Sequence, residues 1–401
     1  MQPIAIFIVF ISKLKIMRIY NTLFLFCHFL MILNCSVLSQ DTPEPNQRIS
    51  PFQITFVTPL GTNGVMAPSV SNMVSLNLLV GVNGGVEDFE LGGLINIDNG
   101  SVTGAQISGF GNIVTGPVKG FQLGGFANIN SAYTEGFQAA GFVNIVDDNA
   151  KDMEIAGFAN ITKNFKGMQV SGFGNYSEEI EGFQGTGFMN ISRNASGAQL
   201  AGFMNVAEDL DGMQASGFLN VAEKVKGLQL AGFLNICDSI DGIPIAPISI
   251  VKKGGYRKFE FWGNETFYMN TSFRIGVPKF YTIFTLGYKP GYSDFNWALG
   301  FGAGTSFAIA DNHSIDLELH TYHINSSFWK RWEYNQWNQL KLNFNYQVAE
   351  HFSISAGPTF NILISENNSF ANRISPVWAF NISERKNTIK GWFGFNFGFR
   401  F

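Results

Sequence analysis

The chain has 401 residues, enough for two domains, and 14% of them are charged, well below the roughly 25% usual for soluble proteins. It contains 44 glycines and 41 phenylalanines, a composition that favours strands, turns and a lipid-facing surface over helices. The formal net charge is −4 and no basic stripe is present, so nucleic acid is not an expected partner.

The N-terminal segment, residues 1–39, has the features of a secretory signal peptide. Arg18 precedes an apolar run at 22–34, and a small-residue cleavage site lies near Ser39. A membrane anchor is the less favoured alternative, because about 20 apolar residues are needed to cross a bilayer. We therefore expect export.

Two details of this segment stay as hypotheses. Translation starts at Met17 if the first 16 residues are an over-long gene prediction, and Asn34-Cys35 faintly resembles a lipoprotein cleavage box. Lipidation of Cys35 is the minority hypothesis, since Asn34 stands where a small residue is expected.

Cleavage after residue 39 leaves 23 basic and 30 acidic residues, a formal charge of −7. Cys237 is then the only cysteine, so neither a disulfide framework nor a metal cluster is expected.

The next segment, residues 40–89, is predicted to hold N-terminal strands near 52–60 and 73–82. These strands either complete a C-terminal barrel or cap the repeats that follow them.

Residues 90–251 form a repeat region of about ten units of 15–16 residues, marked by Gly-Phe-x-Asn. A variant with Leu94 in place of Phe opens the series, and a degenerate copy at 242–247 closes it. The spacing between the asparagines is 16 four times and then 15 five times, through Asn96, Asn112, Asn128, Asn144, Asn160, Asn175, Asn190, Asn205, Asn220 and Asn235.

Each unit alternates like one strand of about nine residues followed by a charged turn. In the unit at 225–237, the alternation predicts that Leu228 and Leu230 point one way and that Gln229, Phe233 and Asn235 point the other. Side-chain ladders are the expected role of the Asn and Gln residues, rather than ligand binding.

Two architectures fit the repeats. In a parallel β-solenoid each unit is one coil, and like residues stack about 4.8 Å apart. In an antiparallel meander each unit is one strand of a single large barrel that also includes the C-terminal strands. We favour the solenoid, because the connections are all alike and the period is one strand, although the unit is nearly palindromic about Gly232.

Residues 252–401 alternate as an antiparallel outer-membrane β-barrel of about eight strands does. The clearest segment is 393–401, where five phenylalanines face one side. Short connections near 276–278, 308–312 and 349–351 alternate with longer ones, as periplasmic turns and outer loops do. The interior of so small a barrel is filled by side chains, so a buried polar network is predicted from Arg274, Asp316, Glu318, His320, Lys341 and Arg400.

No catalytic, cofactor-binding or metal-binding residues are predicted. His320 and His323 have opposite strand parity and should face apart, which argues against a shared metal. One loop is unusual in its mixture of aromatic and basic residues, and it could contact a surface ligand through Trp329, Lys330, Arg331, Trp332, Tyr334 and Trp337. An interfacial aromatic girdle with cations that contact lipopolysaccharide is the favoured interpretation of this loop.

The Gly-x-Gln-x-x-Gly-Phe-x-Asn units, followed by Pro244-Ile245 and a barrel-like tail, resemble the surface-repeat proteins of Gram-negative bacteria. The resemblance covers about 90–250; it implies location and architecture and carries no catalytic residues. The terminal strand with Phe401 separately resembles the signal that the barrel assembly machinery reads.

The sequence thus predicts a non-enzymatic, surface-associated structural or interaction protein of the bacterial outer membrane. Expected partners are outer-membrane lipid and lipopolysaccharide, the barrel assembly machinery, and a surface partner of unknown identity. The alternative is a channel or transporter, which requires the repeats to be barrel strands around an open lumen.

Overall fold

The computed structural model describes residues 48–290, 296–325, 334–383 and 387–401. The predicted signal, the start at Met17 and the lipidation of Cys35 lie outside the described residues. Residues 49–401 form one compact unit. In the described part of the chain, a parallel β-solenoid of about twelve coils is followed by a closed barrel of eight antiparallel strands, as the favoured sequence interpretation predicted.

The solenoid region begins with three N-terminal strands and a 3-10 helix, which are β1 (Arg48–Val57), β2 (Leu60–Gly61), the helix (Gly64–Ser69) and β3 (Val70–Asn83). The remaining solenoid strands are β4 (Gly85–Gly92), β5 (Ile95–Asp98), β6 (Val102–Ser108), β7 (Gly111–Val114), β8 (Val118–Gly124), β9 (Ala127–Asn130), β10 (Thr134–Ala140), β11 (Val143–Ala156), β12 (Ala159–Ser171), β13 (Gly174–Thr186), β14 (Met189–Ala201), β15 (Met204–Val206), β16 (Asp209–Ser216), β17 (Leu219–Ala231), β18 (Leu234–Ile245) and β19 (Ile248–Val251).

Like residues of successive repeats stack in register. Asn160 pairs with Asn175 and Gln169 with Gln184 in parallel strands, so each repeat is one coil. The alternative of one large antiparallel meander barrel is therefore wrong, because the repeats pair in parallel and belong to a sheet separate from the barrel. The near-palindrome about Gly232 reflects the fact that each coil has two similar faces.

The alternation predicted across each unit is interrupted at its Gly-Phe pair. The chain bends at Gly232-Phe233, so the strand before the bend lies on one face of the coil and the strand after it on the other. Gln229 and Asn235 both point into the coil, whereas Phe233 points outward. The prediction that Phe233 shares the direction of Gln229 and Asn235 is wrong, because Phe233 lies in the bend itself, where the alternation of a strand does not apply.

A glycine recurs at the same place in most repeats for a steric reason. Gly212 has φ of 139°, a conformation that side-chain-bearing residues rarely adopt. A Cβ at Gly212 would lie 2.0 Å from the carbonyl oxygen of Gly197 in the coil below. Glycine therefore allows successive coils to approach to strand-pairing distance at this position.

The N-terminal strands cap the solenoid, which settles the choice left open by the sequence. Strand β1 pairs with β2 and β3 at the start of the solenoid sheet, and the Gln53 side chain donates to Asn83 inside the first coil at 2.8 Å.

The barrel strands are β20 (Tyr256–Asn264), β21 (Met269–Val277), β22 (Phe280–Lys289), β23 (Asn296–Ala310), β24 (His313–Asn325), β25 (Asn335–Ala349), β26 (Phe352–Ser365) and β28 (Thr388–Arg400). Strand β28 pairs with β20, which closes the barrel, and a short strand, β27 (Phe380–Ser383), adds to β28. The connections at 278–279, 311–312 and 350–351 are short and lie at one end of the barrel, called here the short-turn end. The opposite end carries the longer connections, one of which holds helix α1 (Asn368–Ile374).

Candidate functional site: the barrel wall, its core and the solenoid surface

The outer wall of the barrel is apolar. Every second residue of each strand points outward, and many of the large ones are well exposed, with Leu319 at 61% and Phe393 at 71%. The outward apolar residues are Phe261, Phe273, Phe284, Leu286, Leu299, Phe301, Leu317, Leu319, Leu340, Leu342, Phe344, Phe393, Phe395, Phe397 and Phe399. Monomeric soluble proteins rarely expose so continuous an apolar surface.

The interior of the short-turn half of the barrel is a network of ion pairs. Arg274 Nε donates to Glu318 Oε1 at 2.7 Å, and Arg274 Nη2 donates to Glu260 Oε2 at 2.6 Å. Arg400 Nη1 donates to Asp316 Oδ2 at 2.5 Å, and Arg400 Nη2 reaches Glu260 Oε1 at 3.2 Å. These side chains are at most 2% exposed, so the charges pair with one another inside the barrel rather than with water.

Two further predicted residues belong to the same interior. His320 Nε2 lies 3.1 Å from Glu318 Oε2, and Lys341 Nζ lies 3.0 Å from the centroid of the Trp262 ring. The predicted burial of Arg274, Asp316, Glu318, His320, Lys341 and Arg400 is thus confirmed.

The sequence interpretation missed Glu260, which joins the two arginines. The alternation of Glu260 with Phe259 and Phe261 could have found it.

The other half of the barrel is filled by aromatic side chains and by helix α1. Trp337, Trp392 and Tyr322 are buried together, and Phe370 and Ile374 of the helix pack against this cluster. With the ion pairs below and the aromatic cluster above, the described residues fill the barrel interior in both halves.

The structure places the predicted surface-contact residues in different environments. Trp329, Lys330, Arg331 and Trp332 lie outside the described residues. Tyr334 is exposed and its hydroxyl donates to Gln336. Trp337, in contrast, is fully buried, and its Nε1 donates to Asn361 Oδ1 at 3.0 Å. Its expected surface role is therefore corrected: Trp337 has inward parity on β25 and belongs to the aromatic core.

The solenoid interior contains the predicted amide ladders. Each ladder asparagine donates from Nδ2 to Oδ1 of the asparagine one coil further on, at 2.8 to 3.0 Å, from Asn77 through Asn235. Gln184, Gln199, Gln214 and Gln229 continue a second ladder from Gln169, at 2.8 to 3.0 Å. Because nearly every ladder amide finds partners inside the coil, a polar interior costs little.

Four carboxyl groups are buried in the solenoid interior, in or beside the amide ladders. Glu154 occupies a glutamine position and accepts from Gln169 Nε2 at 2.6 Å, and Asp152 accepts from Gln138 at 2.5 Å. Burial raises the pKa of Asp152 to about 6 and raises the pKa of Glu154 well above its ordinary value. Burial also raises the pKa values of Glu90 and Asp98. These acids therefore hold protons in a range where surface acids are ionised.

The solenoid exterior has two unlike edges. Along one edge, here called the aromatic edge, the rings of Phe110, Phe126, Phe142, Phe158, Phe173, Phe188, Phe203, Phe218 and Phe233 stack at centroid distances of 4.7 to 5.1 Å. Along the opposite edge, here called the charged edge, exposed ion pairs join successive coils, such as Lys166–Glu181 at 2.7 Å and Lys226–Asp211 at 2.9 Å. Such pairs each stabilise the fold by about 1 kcal/mol at most.

No group of three or more His, Cys, Asp or Glu side chains in the described ranges is arranged to hold a metal ion. His320 and His323 lie on opposite sides of β24, as their parity predicted. None of the helices among the described residues is long and apolar enough to cross a membrane.

Comparison of the chain with known protein families, with curated proteins and with solved structures finds no match.

Proposed function

We propose that this chain is a non-enzymatic, structural or interaction protein of the Gram-negative outer membrane, related to the surface-repeat proteins that its repeats resemble. The barrel anchors it in lipid, and the barrel assembly machinery, whose signal β28 resembles, inserts it. The long-connection end faces the cell exterior and its lipopolysaccharide, because outer-membrane barrels carry their longer loops on that side.

The proposal depends on one observation: the barrel places its polar and apolar side chains in the reverse of the arrangement found in soluble proteins. Its charges are inside, with Arg274 and Glu318 at 0% exposure, and its large apolar side chains are outside. The strands have 9 to 15 residues, and about 9–11 tilted residues are enough to cross a bilayer. Hydrocarbon is the solvent that such a wall fits.

The channel alternative loses the strands it required, since the repeats form a solenoid and not a wide barrel. In planar bilayers we therefore expect no steady nanosiemens steps from the folded chain.

A pair of arginine substitutions tests the membrane assignment. Leu319→Arg places a cation on the outer wall of β24, whereas Asn312→Arg places one in an adjoining short turn that is already exposed. A cation at the bilayer midplane costs about 2–4 kcal/mol and one near the interface about 0–1 kcal/mol.

We expect the Leu319→Arg variant to lose much of its recovery in the detergent-resistant outer-membrane fraction, and the Asn312→Arg variant to keep it. Purification of the unmodified chain as a monodisperse species from the aqueous fraction without detergent would overturn the proposal.

A further inference from the structure

The two halves of the solenoid follow opposite rules of burial. Behind the charged edge, the interior is apolar, with Phe165, Ile180 and Val225 in one core, and the exterior is charged, as in a soluble protein. Behind the aromatic edge, the interior holds the asparagine ladder, and the exterior is a stack of phenylalanine rings that are about 40% exposed. That second arrangement, polar inside and apolar outside, is the one found in the barrel.

The apolar half is continuous along the whole repeat region. Five outward columns surround the aromatic edge: the phenylalanine position itself, the two residues that flank each ladder asparagine, and the two that flank each ladder glutamine. Over residues 94–250, all of which the structure describes, none of these columns contains a charged residue. The repeats place their charges instead in the turns and adjacent positions of the charged edge. An apolar strip of this length, eight strand spacings or about 40 Å from Phe110 to Phe233, calls for an apolar neighbour.

The junction with the barrel fixes the position of this apolar strip relative to the short-turn end and the middle of the barrel wall. The last coil packs against the outer wall of β21 and β22 near the short-turn end, where Val277 joins the apolar core of the solenoid. At the charged edge, Asp241 pairs with Lys279, which lies in the short turn itself, at 3.2 Å. At the aromatic edge, Thr282 Oγ1 donates to the carbonyl oxygen of Pro247, which takes the place of a ladder phenylalanine, at 2.8 Å.

Lys279 and Thr282 show which way the solenoid faces. Thr282 lies three residues, or about 10 Å along the strand, further from the short turn than Lys279, and so closer to the middle of the barrel wall. The aromatic edge therefore meets the wall on the side of its apolar band, next to outward residues such as Phe284, and the charged edge meets it at the turn. The apolar strip of the solenoid is continuous with the apolar wall of the barrel.

We propose that the aromatic edge of the solenoid is immersed in the acyl chains of the phospholipid leaflet at the short-turn end, so that the solenoid lies along the membrane with its charged edge in water. This inference rests on the proposed function, because the leaflet is present only if the barrel spans a bilayer. Hydrocarbon needs no hydrogen bonds from the phenylalanine rings, and the amide ladders satisfy one another without water. Amphipathic helices that lie in a membrane interface insert by about 5–10 Å, and we expect a similar depth for the aromatic edge.

Spin labels on the exported chain after cleavage near residue 39, which retains Cys237 as its one cysteine, test this placement in phosphatidylcholine vesicles. In a Cys237→Ala background, which matches Ala222 one coil earlier, a single cysteine is introduced as Phe158→Cys on the aromatic edge or Lys166→Cys on the charged edge. Leu319→Cys on the barrel wall serves as the membrane control. Accessibility to oxygen, which concentrates in lipid, is compared with accessibility to a water-soluble nickel chelate.

We expect the labels at 158 and 319 to have a several-fold higher ratio of oxygen to nickel accessibility than the label at 166. If the label at 319 reports lipid and the label at 158 reports water, this inference fails while the proposed function stands. If the label at 319 also reports water, both fail. If the label at 158 is shielded from both reagents and shows dipolar broadening, a second copy of the chain covers the aromatic edge, and the inference is overturned.

Discussion

Replacing one ladder asparagine isolates the energetic role of the amide ladder. In the Asn190→Ala variant, four hydrogen bonds disappear. Asn190 Nδ2 donates to the Leu200 carbonyl at 2.8 Å, to Asn205 Oδ1 at 2.9 Å and, more weakly, to the Gln184 carbonyl at 3.4 Å, and Oδ1 accepts from Asn175 Nδ2 at 2.9 Å. Asn175 keeps its second acceptor, the Gly185 carbonyl, but Asn205 Oδ1 is left buried and unpaired.

The expected loss follows from the groups that stay buried without partners. An unsatisfied buried acceptor costs about 1–3 kcal/mol, so the unpaired Asn205 Oδ1 should destabilise the coil by roughly 2 kcal/mol. Since every 1.4 kcal/mol is a factor of ten, local opening of the neighbouring coils should become about 30-fold more frequent. Coils contact only their neighbours, so the effect should fade within a few repeats of residue 190.

Hydrogen exchange of the full chain in detergent micelles, read by mass spectrometry on peptides from 174–220, measures this opening. The control variant is Asn194→Ala, in the same repeat, where the side chain is exposed. Substitutions of that kind usually change stability by less than about 0.5 kcal/mol. Equal exchange rates in the two variants would show that the ladder does not hold the coils together.

Three further outcomes are expected. Arg274→Met removes the arginine that pairs with both Glu318 and Glu260 and leaves Arg400 as the one arginine beside three buried carboxyl groups, so it should cost about 3–5 kcal/mol. The loss should be seen as disappearance of the folded band in gel electrophoresis of unheated samples, whereas Arg257→Met, at an exposed position, should keep that band. Because the pKa of Asp152 is raised from 3.8 to about 6 in the fold, its stability contribution is complete below pH 3.8 and lost as the pH rises through 6. Thermal melts in a pH series should show the free energy of unfolding fall by about 3 kcal/mol over this range, and the fall should be smaller in the Asp152→Asn variant. Burial raises the pKa of Cys237 to about 12, so iodoacetamide should alkylate it only after denaturation, as read by intact mass.

The barrel could be predicted from the sequence because its alternation is local. On a strand, two successive residues, one polar and one apolar, are enough to identify the inner and the outer face. Glu318 and Leu319 identify the two faces of β24 in this way. Short and long connections then gave the ends of the strands. Helix α1 could not be predicted, because it is only seven residues long and its role, to close the barrel over Trp392, depends on long-range packing.

The repeats were harder, because period and parity do not say which side of a strand is inside. Leu228 and Gln229 would normally be assigned to the interior and the exterior respectively, and the structure has them the other way round. The bend at Gly232-Phe233 also depends on close approach between coils, which a single unit does not reveal. A buried amide finds its hydrogen-bond partner only when several units stack, because that partner is the equivalent amide of the next coil.

The same stacking creates two open ends, and the chain closes each of them differently. An unpaired strand edge invites pairing with another chain. At the first coil, β1 and β2 close the stack, and Gln53 connects to the polar interior through Asn83. At the last coil, the barrel wall covers Val251 and the buried Cys237 column. The barrel is thus the C-terminal cap of the solenoid as well as the proposed anchor, and this double use fixes the aromatic edge against the barrel's apolar wall. A freely jointed linker would leave the orientation of that edge undetermined, whereas a packed junction transmits the orientation of the barrel to every coil.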